Sequence, residues 1–221
     1  MKDKSIVVAQ RDTIARSRIS EERVDQLLEV AAQVFAERGY ERASVGEMAE
    51  RADASKATFY RRFGTKEALL MAVVARQVQG LETNLASLMK PELGTSEALT
   101  AFATTMLEVV LSDQVLSSYR VVTMEALRFP ELGRMYYDNG VGKIAKFFAD
   151  YLSRQTKKGL LKVFHPQIAA EQFIDAIVGL PRLRAALGLG RLSKVEKASR
   201  ITVAVEAFLK AYDAKGSNEP R

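Results

Sequence analysis

The chain has 221 residues, 48% of them hydrophobic and 27% charged, with no cysteine, no tryptophan and one histidine. That balance is typical of a soluble globular protein. The missing cysteines exclude disulfides, thiolate zinc sites and thiol redox sensing, and a lone His165 cannot supply the two Glu-x-x-His pairs of a carboxylate-bridged metal site in a helical bundle. The net charge of +6 is not concentrated: residues 1–76 hold 14 basic against 12 acidic side chains and the remainder 19 against 15, so bulk charge alone marks no nucleic-acid surface.

Residues 1–19 carry Lys2, Lys4, Arg11, Arg16 and Arg18 with little apolar periodicity. They read as a basic flexible arm, either reaching into a minor groove or staying solvated. Ile6-Val7-Val8-Ala9 is too short for the apolar core of a signal peptide. The longest apolar run, Ala68 to Ala75, falls well short of the roughly 18 residues that a membrane helix needs. No membrane partner and a cytoplasmic location are therefore expected.

From Ser20 to Arg38 the residues Val24, Leu27, Leu28, Ala31, Ala32, Val34 and Phe35 recur at helical spacing, and Gly39 ends the pattern. Ser44 and Glu47 have the spacing of a capping box, so a second helix starts there, with Met48, Ala49 and Ala52 as its apolar side. Asp53-Ala54 forms a corner. Ser55 caps a third helix, Lys56 to Phe63, and Gly64 closes it in the left-handed conformation.

This third helix has two faces. Phe59 and Phe63, four residues apart, require burial, whereas Tyr60, Ala57 and Arg61 point away from them and Lys56 stands at the exposed start. Between Ser55 and Lys66 lie four basic residues (Lys56, Arg61, Arg62, Lys66) and no acid. Phosphate contact needs such Lys, Arg, Tyr and Ser donors around a helix N-terminus, and base reading needs a small face that enters the major groove. A solvated charged face is the competing reading, above all for Arg62.

The run Ala52-Asp53-Ala54-Ser55-Lys56-Ala57-Thr58-Phe59-Tyr60-Arg61-Arg62-Phe63-Gly64-Thr65-Lys66-Glu67-Ala68-Leu69 resembles the helix-turn-helix signature of the TetR-type (TetR/AcrR) transcriptional regulators. With the helix before it, the resemblance covers residues 20–70. Its most diagnostic parts are Tyr60 with Phe63, and Lys66-Glu67 with Leu69; Asp53 stands where the family usually places glycine, and a left-handed corner accepts either. The resemblance implies an all-α protein. A three-helix DNA-binding head at 20–70 would be joined by a long helix to an effector-binding and dimerisation domain at 71–215, with a flexible tail at 216–221. It places Lys56, Ala57, Thr58 and Arg61 nearest the bases, and Ser44, Ser55, Tyr60 and Lys66 on phosphates, with Arg62 a further candidate. The implied function is a repressor released from a pseudo-palindromic operator by a small, lipophilic effector. Its partners would be double-stranded DNA, a second copy of the chain and that effector, with no cofactor. A dimeric DNA-binding or architectural protein unresponsive to any ligand is the alternative.

The rest of the chain is also helical in pattern, with no alternating strand segment. Thr65 to Lys90 reads as one helix ending before Pro91, with Gly80 a candidate bend. Further helices are expected over Thr95–Leu111, Asp113–Phe129, Pro130 to about Lys158, Pro166–Gly179 and Ser193–Ala214. Glu125-Ala126-Leu127-Arg128-Phe129-Pro130-Glu131-Leu132 is similar to stretches of TetR-type ligand domains. Phe102, Met106, Tyr119 and Met124 are candidate pocket residues, as are Tyr136, Tyr137, Phe148 and Phe173, because methionine adapts to irregular volumes and a buried tyrosine needs a polar partner. By the same resemblance the last two helices pair with those of a partner subunit through Ile168, Ile177, Val195, Ile201, Val205 and Phe208. An ordinary core makes the same demand for apolar stripes.

Enzymatic readings find no support. Gly140-Val141-Gly142-Lys143-Ile144-Ala145 matches a dinucleotide fingerprint in letters only, since no strand is expected before it. No phosphate loop, nucleophile elbow or zinc-protease motif occurs. His165, just before Pro166, reads as a capping or loop residue.

Overall fold

Helix α1 (Asp3–Arg42) is followed by two short helices, α2 (Val45–Arg51) and α3 (Lys56–Phe63), and by the longer α4 (Lys66–Leu88). In this computed structural model the described residues are 3–89 and 93–214; side chains are described from residue 21 onward, except at positions 82 and 88. The breaker Pro91, the tail from residue 216 and the side chains of the arm lie outside the described residues. The chain divides into two compact units, Met1–Val73 and Val74–Arg221, with the division falling inside α4.

The first unit departs from expectation at its start. Helix α1 begins at Asp3 rather than near Ser20, so the stretch read as a flexible arm has helical backbone. No Gly or Pro occurs between Asp3 and Arg38, and a helix nucleated over the amphipathic part meets no breaker as it propagates backwards. The regular path is interrupted at Gly39 (φ 70°, ψ 172°). Leu27, Ala31, Val34 and Phe35 of α1, Met48 of α2, Phe59 of α3 and Leu69 and Leu70 of α4 are all buried. Helix α4 then continues through Gly80 without a break, and open space surrounds that position, so Gly80 is no bend.

The second unit contains α5 (Thr95–Val110), α6 (Asp113–Glu125), α7 (Pro130–Tyr136), a π-helical turn (Tyr137–Val141), α8 (Gly142–Lys157), α9 (Pro166–Ala186) and α10 (Lys194–Tyr212). No strand occurs among the described residues, only an isolated bridge between Leu161 and Asp213. No single helix there is long and apolar enough to cross a membrane. Two segments differ from the sequence reading. The helix opened by Pro130 is not uniform, because the π turn inserts one widened loop between α7 and α8. Glycine suits the residue beside that turn: a Cβ on Gly142 would sit 3.1 Å from the Tyr137 carbonyl oxygen, a tight contact. Helix α9 also runs past Gly179, its expected end, and on through Pro181. Pro181 is buried on the core side, and the helix ends where Arg120 donates to the carbonyls of Ala185 (2.7 Å) and Ala186 (2.9 Å). At its other end His165 occupies the cap position without a side-chain capping bond. Helix α10 carries the complete capping box expected of Ser193 and Glu196.

Aromatic side chains join four of these helices. Phe102 of α5 stacks on Phe148 of α8 with ring centroids 4.1 Å apart. Phe148 meets Phe173 of α9 at 5.2 Å, and Phe173 meets Phe208 of α10 edge-on at 4.9 Å. Three of these four were candidate pocket residues and the fourth a candidate interface residue; all four are core. Such pairs add to the hydrophobic free energy of burial because offset and edge contacts match the ring quadrupoles. Phe148→Ala should destabilise the protein by roughly 3–5 kcal/mol in urea unfolding; a loss under about 1 kcal/mol would mean that the surrounding helices close the gap without it.

Candidate nucleic-acid interface and interior cleft

The corner between α2 and α3 fixes how α3 is presented. Asp53 adopts φ 47°, the left-handed conformation, and the Ala54 N–H donates to the Ala49 carbonyl at 2.8 Å. From α1, the Arg23 Nη2 donates to the carbonyls of both Ala52 and Asp53, each at 2.8 Å. Charged donors satisfy carbonyls strongly, so the turn is tied to the first helix as well as to its own backbone.

Ser44 caps α2 by accepting from the Glu47 N–H (3.1 Å), but the capping box expected there is half formed. The Glu47 carboxylate turns instead to Arg38 (3.2 Å) and Arg51 (2.6 Å), and Arg51 also reaches Glu37 (2.7 Å). Hydrogen bonds from Arg38 to Glu47 and from Arg51 to Glu37 hold both carboxyls below the ordinary carboxylate range, and these acids raise the Arg51 guanidinium in turn. All three are solvated, so their attraction is largely screened.

Helix α3 starts at Ser55, whose hydroxyl accepts from the Thr58 N–H (3.1 Å) and lies 2.9 Å from the Thr58 hydroxyl. Phe59 is buried and Phe63 half-buried, with ring centroids 6.0 Å apart. Ser44, Ser55, Lys56, Ala57, Tyr60, Arg61 and Arg62 are exposed, Tyr60 to 52%, and Thr58 is half-buried. No carboxylate pairs with Lys56, Arg61 or Arg62 among the described residues, so three cations remain available to an anionic partner. The Lys56 stem crosses α2 at Gly46, where a Cβ would come within 2.7 Å of its Cε.

Lys66 is placed differently from the other predicted phosphate contacts. It is half-buried; its ammonium donates to the Glu41 carbonyl (3.2 Å) and lies 4.5 Å from the centre of the Tyr40 ring. Tyr40 is buried, stacks on Phe35 and donates to Glu67 at 2.7 Å. That bond is the main reason the Glu67 carboxyl lies below its ordinary range. Lys66 is therefore first a tie between the end of α1 and the start of α4.

The second unit holds an interior cleft. Its walls are Val74, Val78 and Leu81 of α4, Met106, Val109 and Val110 of α5, Val115 of α6, Gly140 and Val141 of the π turn, Ile144 of α8, and Ile174 and Val178 of α9. Gln77, Tyr136 and Arg182 are the polar residues on this wall. The cleft holds a cavity of about 70 Å³ and opens to solvent at its mouth. Of the candidate pocket residues, Met106 and Tyr136 line it. Phe102, Phe148 and Phe173 belong to the aromatic core, Met124 (78%) and Tyr137 (58%) are exposed, and Tyr119 lies outside the lining as a platform for Arg182, whose Cζ is 4.8 Å from its ring centre. Gln77 and Arg182 were missed, although Gln77 stands three and four residues from Val74 and Leu81, a polar residue on an apolar stripe.

The interface candidates divide likewise. Ile177, Ile201, Val205 and Phe208 are buried within this chain's own core and are unavailable to a partner, whereas Ile168 (54%) and Val195 (75%) are exposed. The larger exposed apolar surface was not expected: Leu180, Leu183, Leu187 and Leu189, with Val203 on α10.

An all-α chain whose helix-turn-helix presents unpaired cations beside two serine caps is a DNA-binding transcriptional regulator. It belongs to the TetR family. Residues 27–73 match the family of bacterial regulatory proteins of that name, and residues 97–214 match the C-terminal domain of AefR-like transcriptional repressors. A TetR-family transcriptional regulator from Mesorhizobium loti MAFF303099 is 28% identical, with a TM-score of 0.80 over 88% of this chain and 98% of that one. The flavonoid-responsive regulator FrrA is 30% identical, with a TM-score of 0.71 over 87% and 98%. The transcriptional activator FasR of Mycolicibacterium smegmatis is 31% identical over 102 residues, a match that spans 46% of each chain.

The Tyr40–Glu67 bond makes stability depend on pH. A carboxyl whose folded-state pKa is depressed stabilises the fold above its unfolded pKa, and that contribution is lost as pH falls through the folded value. Tyr40→Phe should cost about 1 kcal/mol near neutral pH, the low end for a bond to a partly solvated charge. The difference should vanish in acid, where Glu67 is protonated in both states; a gap that persists unchanged to low pH would assign the loss to packing. Unfolding by denaturant across a pH series measures it.

Proposed function

We propose that this chain is a homodimeric, effector-released repressor that places two copies of α3 in successive major grooves of a pseudo-palindromic operator. The observation that carries this reading is the exposed face of α3, three cations without carboxylate partners mounted on a buried Phe59. Lys56, Ala57, Thr58 and Arg61 face the bases in this arrangement. Ser44, Ser55 and Tyr60 bind phosphates, Arg62 flanks them, and Lys66 contributes through the donors it does not spend on Glu41.

Dimerisation is assigned to the exposed leucines of α9 and the segment after it, together with Ile168, Val195 and Val203. Exposed apolar side chains grouped like the leucines at the end of α9 mark an interaction site. Half-sites about 34–36 Å apart then require both heads to engage at once. The effector enters the cleft of the second unit, and α4 carries the signal, since this one helix, Lys66–Leu88, supplies both Lys66 of the head and Gln77 of the cleft wall. FrrA, flavonoid-responsive by name, supports an effector, and the AefR-like match supports repression, while FasR is an activator. A regulator of this kind acts in the cytoplasm, where the DNA is. The narrowness of the cleft favours a second reading, a dimeric DNA-binding protein that answers to no ligand.

Selection of bound sequences from random DNA should return inverted repeats with this spacing; enrichment without symmetry would overturn the dimeric reading. On the selected operator, Tyr60→Phe should weaken specific and nonspecific binding together, whereas Lys56→Ala should also relax the preference at one base position by roughly 1–3 kcal/mol. Equal loss on all sequences would make Lys56 a phosphate contact. Leu183→Glu should yield monomers in sedimentation and lower operator affinity by about 10²–10⁴, the avidity of the second head; an intact dimer would move the interface elsewhere.

A further inference from the structure

We infer that the effector is a lipophilic carboxylic acid, bound as its anion, with the carboxylate received by Arg182 and Gln77 and the apolar body held among the aliphatic side chains of α4, α5 and the π turn. The inference rests on the effector reading above and names the chemistry of its ligand.

Three features of the cleft lead there. Its wall is aliphatic apart from Gln77, Tyr136 and Arg182, and no acid lines it. The Gln77 Nε2 is buried and has no hydrogen-bond partner, a vacancy that natural interiors rarely leave. The Arg182 guanidinium lies against the Tyr119 ring, and no carboxylate pairs with it among the described residues. A cation on an aromatic platform keeps its planar fork oriented, and that fork matches a carboxylate through two parallel bonds.

A neutral lipophile would satisfy the walls and leave the rest worse off. Filling the cleft removes water from Arg182, and a desolvated charge without a partner is costly. A carboxylate brings the missing charge and two acceptors, one for the guanidinium and one for the Gln77 amide. The Tyr136 hydroxyl, kept protonated because burial pushes its pKa up against the opposing pull of Arg182, remains a donor to the same head. The ligand's tail must widen the cleft, since only about 70 Å³ is open at rest. The π turn supplies Gly140 and Val141 to that wall, and such turns depart from the regular helix ladder.

The test uses the full-length protein near neutral pH and compares octanoate, decanoate and dodecanoate with the alcohols of equal chain length, below micellar concentrations, by calorimetry. At least one acid should bind about tenfold or more tightly than its alcohol, the value of a charge-assisted hydrogen bond. Arg182→Gln should bring the acid to the level of the alcohol, and Arg182→Lys should restore part of the preference. Retained operator binding without ligand shows that each variant is folded. Equal binding of acid and alcohol by the native protein overturns the inference and leaves the effector reading standing, as does a preference that survives Arg182→Gln. If no acid and no alcohol binds, the effector reading fails and takes this inference with it.

Discussion

The orientation of α3 depends on one guanidinium. The α2–α3 corner is made of small residues: Ala52 is buried, Ala54 half-buried, and Asp53 bears the left-handed backbone. None of them fills enough space to wedge two helices at a fixed angle. Two carbonyls at the corner are held instead by Arg23, which arrives from α1 across some thirty residues of sequence. Local turn chemistry permits the corner, and a long-range charged bond selects its geometry. The serine caps, the buried Phe59 and the glycine that closes α3 then make the short helix rigid enough to act as one body.

The second unit solves a different problem. Four phenylalanines stacked through α5, α8, α9 and α10 bury the largest side chains together on one side of those helices. Elsewhere α4, α6 and the π turn contribute mainly aliphatic side chains, among them Val74, Val78, Val115 and Val141. The cleft lies among them. The stacked rings and the aliphatic cleft wall are thus carried by different residues of the same helices, Phe148 and Ile144 on α8, Phe173 and Ile174 on α9.

The head was legible in the sequence because its information is local. Caps, the closing glycine and the two-faced α3 all lie within a span of about twenty residues, and Asp53 announced its own conformation. The half-formed capping box escaped because Glu47 had better partners in Arg38 and Arg51, which sequence spacing does not reveal. Lys66 escaped for the same reason, its ammonium being drawn to Glu41 and Tyr40. In the second unit the helices themselves were legible and their uses were not. Phe148, Phe208 and Met106 all sit on apolar stripes, and only the convergence of seven elements decides that the first two are core and the third lines a cleft. Helix α9 outruns its expected end at Gly179, a local stop signal overridden by the burial of Pro181 and by Arg120 at the true end.

The π turn between α7 and α8 has a consequence for how the cleft can evolve. A π turn holds one residue more than the α-helical turn it replaces, so it shifts the angular phase of everything after it by roughly 100°. Tyr136, Gly140 and Ile144, spaced by four, would share one side of a regular helix, and with Val141 of the widened turn they all line the cleft. Deleting a single residue there would restore a uniform helix and leave α8 in its present phase, whereas winding the same residues into a regular helix would rotate α8 about its axis. Relatives that keep the same helices can thus gain or lose one residue at this point and still present the same side chains of α8 to the cleft.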